Sequence, residues 1–298
     1  MGLRYDTVTF FSDYGLVDEF VGVVKSVIRS IAPGVTVIDL THDLDPHDVR
    51  AGGLTLARSA QYLAPGVVLG VVDPGVGGDR RAVGIEVGEG QSVLVGPDNG
   101  LFAPAVAMVG GAGRAVSLTN DDYHLESPGP TFAGRDIFAP AVAHLCTGVD
   151  LYELGDPIDA ASLLPGVLPI TREEDGNLIC DVLWVDRFGN AQLNVDPEEI
   201  ETWGPRLRLR YGDNRNRVGI RAATYSDVKP GQVGLVVDSY GLLSITVDRG
   251  SAAAELALHA GDEITLEPLV GDEDVDLGIS TAVDLGPGPS SRERRASR

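Results

Sequence analysis

Residues 67–81, VVLGVVDPGVGGDRR, decide how the fold is read. Val67–Val72 is a short apolar run without polar alternation, as a strand buried on both faces requires. Asp73 ends it. Pro74-Gly75-Val76-Gly77 then form a loop whose glycines let backbone approach a ligand closely. Arg80 lies near enough along the chain to return to the same loop mouth. A carboxylate beside a fixed guanidinium can orient and polarise a water. The plainer alternative is a loop salt bridge, worth under about 1 kcal/mol if exposed.

Outward from this stretch the first half alternates two patterns. Thr7–Ser12, Val35–Leu40, Gly66–Val72, Ala82–Val87 and Ser92–Val95 read as strands. Asp18–Ile31 carries Phe20, Val23, Val24, Val27, Ile28 and Ile31 at helical spacing and is stopped by Pro33-Gly34. His47–Leu63, Leu101–Val109 and Arg135–Cys146 also read as helices. Strands alternating with helices predict a three-layer α/β domain with a mostly parallel sheet over residues 1–165. Residues 166–177, with Pro169 and a charged Arg172–Asn177 run, read as a linker. Residues 178–285 hold short strand patterns at Leu178–Trp184, Arg206–Arg210, Val218–Ile220, Val233–Asp238, Leu243–Val247 and Glu263–Glu267, which predict a small sandwich or barrel. Residues 286–298 are rich in Pro, Ser and Arg and read as a disordered tail.

Bulk properties narrow the function. The net charge of −21 over 298 residues argues against nucleic acid as the main partner. Cys146 and Cys180 form no CxxC and signal neither a disulfide framework nor a zinc site. No apolar run reaches the length of a membrane span, and the amino terminus enters a strand-like run without a signal peptide. The expected location is the cytoplasm, with no membrane partner.

Parallel α/β sheets bind ligands at the carboxyl ends of their strands. Four polar groups fall there: Ser12-Asp13-Tyr14-Gly15, Thr41-His42-Asp43, Asp73–Gly77 and Gly96-Pro97-Asp98-Asn99-Gly100. Each taken alone also makes an ordinary turn or helix cap. His42, Asp43, His47 and Asp48 offer metal-ligand chemistry, but no coherent third ligand joins them. Dinucleotide, P-loop and nucleophile-elbow patterns do not occur. In the second half, Asp186-Arg187-Phe188-Gly189-Asn190, Tyr225 and Asp238-Ser239-Tyr240-Gly241 offer hydrogen bonds and stacking to a purine. Spacing alone reads them as hairpin turns.

Taken in order, FFSDYG (10–15), VVDPGVGGDRR (71–81), VGPDNGL (95–101), TFAGRDIFAP (131–140), DRFGN (186–190) and DSYGLLSITVDRGSAA (238–253) resemble the S-adenosyl-L-methionine (SAM) hydroxide adenosyltransferases, relatives of the fluorinase and chlorinase. The resemblance implies a β-barrel-like second domain and a homotrimer with each site between neighbouring subunits. It implies metal-free hydrolysis of SAM at C5′ to adenosine and L-methionine, with SAM as substrate and no cofactor. By the same resemblance Asp13 holds the ribose hydroxyls, Asp186 the methionine ammonium and Ser239 its carboxylate. Phe188, Asn190 and Tyr225 lie by the adenine, the backbone at Arg249 meets its edge, and Phe132 and Gly134 belong to the substrate-binding set. Asp73 and Arg80 match two members of an Asp–Arg–His group that handles the water. Ala133 stands where the family has the histidine, either as a natural variant with weakened or altered chemistry or as an engineered change.

Three other functions are weighed against this one. A chlorinase-like halogenase needs a small dry pocket without a nearby anion. Asp73 opposes it, since halogenases carry Tyr there, whereas Gly134 matches the chlorinase. A non-catalytic SAM or adenosine binder draws support from Ala133. A metal-dependent phosphohydrolase rests on the His and Asp residues at 42–48.

Overall fold

The computed structural model describes residues 3–166, 168–213 and 215–269. The chain divides into two compact units, Met1–Leu168 and Pro169–Arg298. The 286–298 tail lies outside the described residues.

The first unit is built on a seven-stranded sheet. Its strands are β1 (Thr7–Ser12), β2 (Thr36–Thr41), β3 (Val67–Val71), β4 (Ala82–Val87), β5 (Ser92–Pro97), β6 (Ala112–Ser117) and β7 (Asp156–Ile158), in the order β2-β1-β3-β5-β4-β6-β7. β1, β2, β3 and β5 pair in parallel. β4 is antiparallel to β5 and β6, and β7 to β6, so only β4 and β7 run against the rest. The helices α1 (Phe20–Ile31), α2 (Val49–Ser59), α3 (Ala103–Met108) and α4 (Ala139–Thr147) pack as pairs, α1 on α4 and α2 on α3.

β3 shows why its sequence is apolar throughout. Val67, Leu69 and Val71 join the core that holds Val21, Val24 and Ile28 of α1 and Ala139 and Val142 of α4. On the other face Gly70 lies against Phe11 and Phe102, and Val72 reaches Gly52 of α2. Successive side chains on a strand point to opposite faces, so a strand covered on both sides has no place for a polar residue until it ends.

The second unit contains β8 (Arg172–Glu174), β9 (Asn177–Val185), β10 (Ala191–Leu193), β11 (Arg206–Tyr211), β12 (Arg215–Ala222), β13 (Val233–Val237), β14 (Leu243–Val247) and β15 (Glu263–Pro268). Because β9 pairs with both β10 and β15, seven strands close into a barrel, and β8 hangs on the edge of β9. Leu178, Cys180, Val182, Leu207, Leu209, Leu235, Ile245 and Ile264 fill it. Closure settles the choice between sandwich and barrel.

Three boundaries differ from the sequence reading. Arg172–Glu174, placed in a linker, is a strand, since its backbone pairs with Asn177–Ile179 across a turn at Asp175 and Gly176. His47 lies outside its predicted helix because Asp48 caps that helix, accepting the Ala51 N–H at 2.8 Å. The Arg135–Cys146 helix opens as a π-helical turn, Gly134–Phe138, before α4.

Candidate active site

The parallel strands β1, β2, β3 and β5 bring the four polar groups to one edge of the sheet. The His42 group is structural. His42 is buried, its Nδ1 sits 2.8 Å from the Ser12 hydroxyl and its Nε2 3.1 Å from Asp39 Oδ1. An imidazole donating to Asp39 can accept from Ser12, so both nitrogens are used. Asp98 is structural too: it takes Arg81 Nε at 2.8 Å and the Leu164 N–H at 2.9 Å. Asn99 ties its amide to the Val72 carbonyl at 2.8 Å. Among the described residues no group of three or more His, Cys, Asp or Glu side chains is placed to hold a metal ion.

Asp13 and Asp73 keep acceptor capacity. Asp13 Oδ2 accepts the His47 backbone N–H at 2.8 Å. A carboxylate has about four lone-pair sites, so enough remain for two vicinal hydroxyls. Asp73 follows β3 directly, and Arg80 returns to it, as the spacing suggests. Arg80 Nε lies 2.8 and 3.1 Å from the two carboxylate oxygens, and Nη2 adds a second prong. The Asp73 side chain is 6% exposed and that of Arg80 14%, so this is no solvated surface pair. The Arg80 guanidinium also lies over the Phe138 ring, 5.3 Å from its centroid. The loop between them turns tightly at Gly77 (φ 79°), where a Cβ would meet the Pro130 carbonyl.

The 131–140 segment faces the same region. Phe132 stacks edge-on against Tyr14 and Phe20, with centroids 5.8 and 5.0 Å away. Ala133 is buried. It lines a cavity of about 720 Å³ with Arg80, His124, Asp136 and Ile137. Gly134 lies under the Tyr14 hydroxyl, so close that a Cβ there would strike the oxygen. Tyr14 is the residue that sequence reasoning left without a role. Burial pushes its phenol pKa well above the ordinary range, and the charges of Asp13 and Asp73 add to this. Its only sequence signal is its place next to Asp13.

In the second unit the DRFGN segment is a tight turn after β9. Asp186 Oδ1 accepts the N–H groups of Phe188 (2.9 Å) and Asn190 (2.8 Å), and Oδ2 accepts the Asn190 amide at 2.8 Å. Three of its lone-pair sites are thus used and a place for a cation remains. Phe188 stands 78% exposed. The Ala253 N–H donates to the Gly189 carbonyl at 2.9 Å, which draws the segment after Arg249 alongside. Arg249 itself is exposed and holds a left-handed backbone. Tyr225 is raised in pKa by burial first, then by Asp238 and Asp186, so these three share one neighbourhood. Ser239 is exposed beside Asp238, whose Oδ1 accepts the Tyr240 N–H at 2.8 Å.

Comparison with known proteins gives a consistent result. Residues 8–155 match the model of the SAM hydroxide adenosyltransferase N-terminal domain, and residues 180–265 that of its C-terminal domain. A protein of Salinispora tropica named (R)-S-adenosyl-L-methionine hydrolase is 40% identical over 257 residues, spanning 86% of this chain and 96% of its own. A fluorinase of an Actinoplanes species is 26% identical, over 87% of this chain and 96% of its own. A crystal structure of an uncharacterised conserved protein from Thermotoga maritima superposes with a TM-score of 0.80 at 32% identity, covering 87% of this chain and 99% of that one.

Proposed function

The chain belongs to the SAM hydroxide adenosyltransferase family, and on that premise we propose that it hydrolyses SAM at C5′ to adenosine and L-methionine. The observation that carries the reading is the sheltered Asp73–Arg80 pair at the end of β3. A carboxylate locked by a guanidinium presents a fixed acceptor to a water, and a fixed acceptor is what an in-line attack needs. The sulfonium is already a good leaving group, so the reaction asks for no metal or acid to help it depart. The water oxygen bonds to C5′, the C5′–S bond breaks with its electron pair going to sulfur, and a water proton leaves by way of Asp73.

The remaining roles follow the chemistry of each group. Asp13 accepts from the two ribose hydroxyls. Asp186 receives the ammonium and Ser239 binds the carboxylate of the methionine end. Phe188, Asn190, Tyr225 and the backbone at Arg249 bound the adenine, while Phe132 and Gly134 close around the ribose side. The exposed rings of Phe188, Tyr225 and Tyr240 leave apolar surface that a neighbouring copy would cover, which suits the homotrimer that the family resemblance implies. The two cysteines are free and buried, which suits a reducing compartment, the cytoplasm. No helix among the described residues is long and apolar enough to cross a membrane.

The test is incubation with SAM and a chelator, with adenosine and methionine quantified by mass spectrometry. Equal amounts of the two are expected. Methylthioadenosine, or 5′-chloroadenosine formed in chloride, would contradict the reading. SAM held one-to-one without release of adenosine would make the chain a binder, the alternative that Ala133 favours.

A further inference from the structure

Tyr14 carries a feature that packing does not explain. Its ring completes a cluster with Phe20, 5.4 Å away, and Phe132, 5.8 Å away. A phenylalanine would serve that cluster equally well. The hydroxyl instead projects onto the backbone of Gly134, beside Ala133, where no side chain at 134 could coexist with it. Asp13, Asp73, Arg80 and Asp136 all act on it electrostatically, so it sits among the charged groups of both acidic loops. Among the described residues it makes no hydrogen bond to another protein group. A sheltered hydroxyl in that position is a free hydrogen-bonding group at the reacting end of the site.

Resting on the hydrolase reading above, we propose that Tyr14 is a catalytic residue whose neutral hydroxyl holds the attacking water beside Asp73. The geometry of a water fits this assignment. One O–H donates to the Asp73 carboxylate and one lone pair accepts from the Tyr14 hydroxyl. The other lone pair is then left to point at C5′. Tyr14 keeps its proton throughout. The proton lost from water as the C–O bond forms goes to Asp73, and the second stays on the 5′-hydroxyl of adenosine. The elevated phenol pKa is consistent with this: burial first, then the charges of Asp13 and Asp73, oppose loss of the proton. Ala133 makes the assignment sharper: with no imidazole at that position, a second holder for the water has to come from elsewhere, and Tyr14 is adjacent.

The experiment compares Tyr14→Phe with the unaltered chain. The ring and its packing stay; only the oxygen goes. The expected result is a kcat for adenosine release lower by about ten- to a hundredfold, with KM for SAM and Tm essentially unchanged. Adding Ala133→His to Tyr14→Phe is expected to recover much of the loss, since an imidazole can hold the same water. A purely structural role would instead lower Tm and raise KM, and Ala133→His would then raise kcat by the same factor whether Tyr or Phe stands at position 14. An unchanged kcat in Tyr14→Phe overturns the assignment and leaves the hydrolase reading standing. An unaltered chain that releases no adenosine overturns both.

Discussion

Asp13 at the end of β1 is oriented by His47, whose backbone N–H reaches its Oδ2 at 2.8 Å. His47 adopts φ 70° to do so, a conformation that side chains other than Gly, Asn, Asp and His seldom hold. Two separate loops are thereby joined at the carboxylate assigned to the ribose. Asp13→Ala is expected to weaken SAM binding by about ten- to a hundredfold, the equivalent of losing hydrogen bonds to a charged group. His47→Val, β-branched at positive φ, is expected to cost about 1–2 kcal/mol of stability and to weaken binding, while His47→Gly keeps both. Calorimetric titration and thermal unfolding read the two effects. Equal behaviour of the Val and Gly variants would disprove the link.

In the proposed reading the Asp73–Arg80 pair serves structure and chemistry at once, and a double mutant separates the two. Asp73→Ala leaves a sheltered guanidinium without its partner, a change worth about 3–5 kcal/mol. Removing both, in Asp73→Ala with Arg80→Ala, should recover part of that stability. It should not recover activity, which is expected to stay about 10²–10⁴-fold down. Urea unfolding and initial rates measured on both variants and the unaltered chain decide the matter. Activity that returns with stability would assign the pair a structural role alone.

Ala133 borders a cavity of about 720 Å³, so an imidazole has somewhere to go. Ala133→His is expected to raise kcat by about a hundredfold or more, the usual worth of a general base, with little change in KM. An unchanged rate would remove histidine chemistry from this position.

Cys146 in α4 shows what burial does to titration. It is pushed up to about 12, by burial first and then by Asp6. Burial likewise raises Cys180. The unfolded chain ionises such thiols near the ordinary value while the folded chain does not. The stability they contribute is therefore complete below about pH 9 and declines as pH rises from there. Thermal midpoints should fall steadily above that pH. Alkylation at pH 8 should leave both thiols unmodified until denaturant is added. Rapid labelling of either thiol in the folded chain would contradict their placement.

Much of this was legible in the sequence, for identifiable reasons. A polar residue that interrupts an apolar run stands out, so Asp13 and Asp73 were visible as strand ends and Arg80 as a residue able to return. β6 was not, because AGRAVS is built of small residues without the β-branched run that marks a buried strand. β8 was hidden by its charge: Arg172-Glu173-Glu174 is an exposed edge strand and reads as a solvated segment. Barrel closure depends on β15 pairing with β9 and β14 with β10, long-range contacts that no local pattern encodes. The left-handed turn at His47 and the contact of Tyr14 with Gly134 have no signature beyond their neighbours. Both features adjoin Asp13 in the proposed site.

The proposed function requires water to be the nucleophile at C5′. The direct measurement is turnover of SAM in ¹⁸O-labelled water, with mass analysis of the adenosine released. The prediction is one ¹⁸O atom on the 5′-carbon of every adenosine formed and none in the methionine. Unlabelled adenosine, or a nucleoside carrying a halogen or methylthio group at C5′, would contradict it.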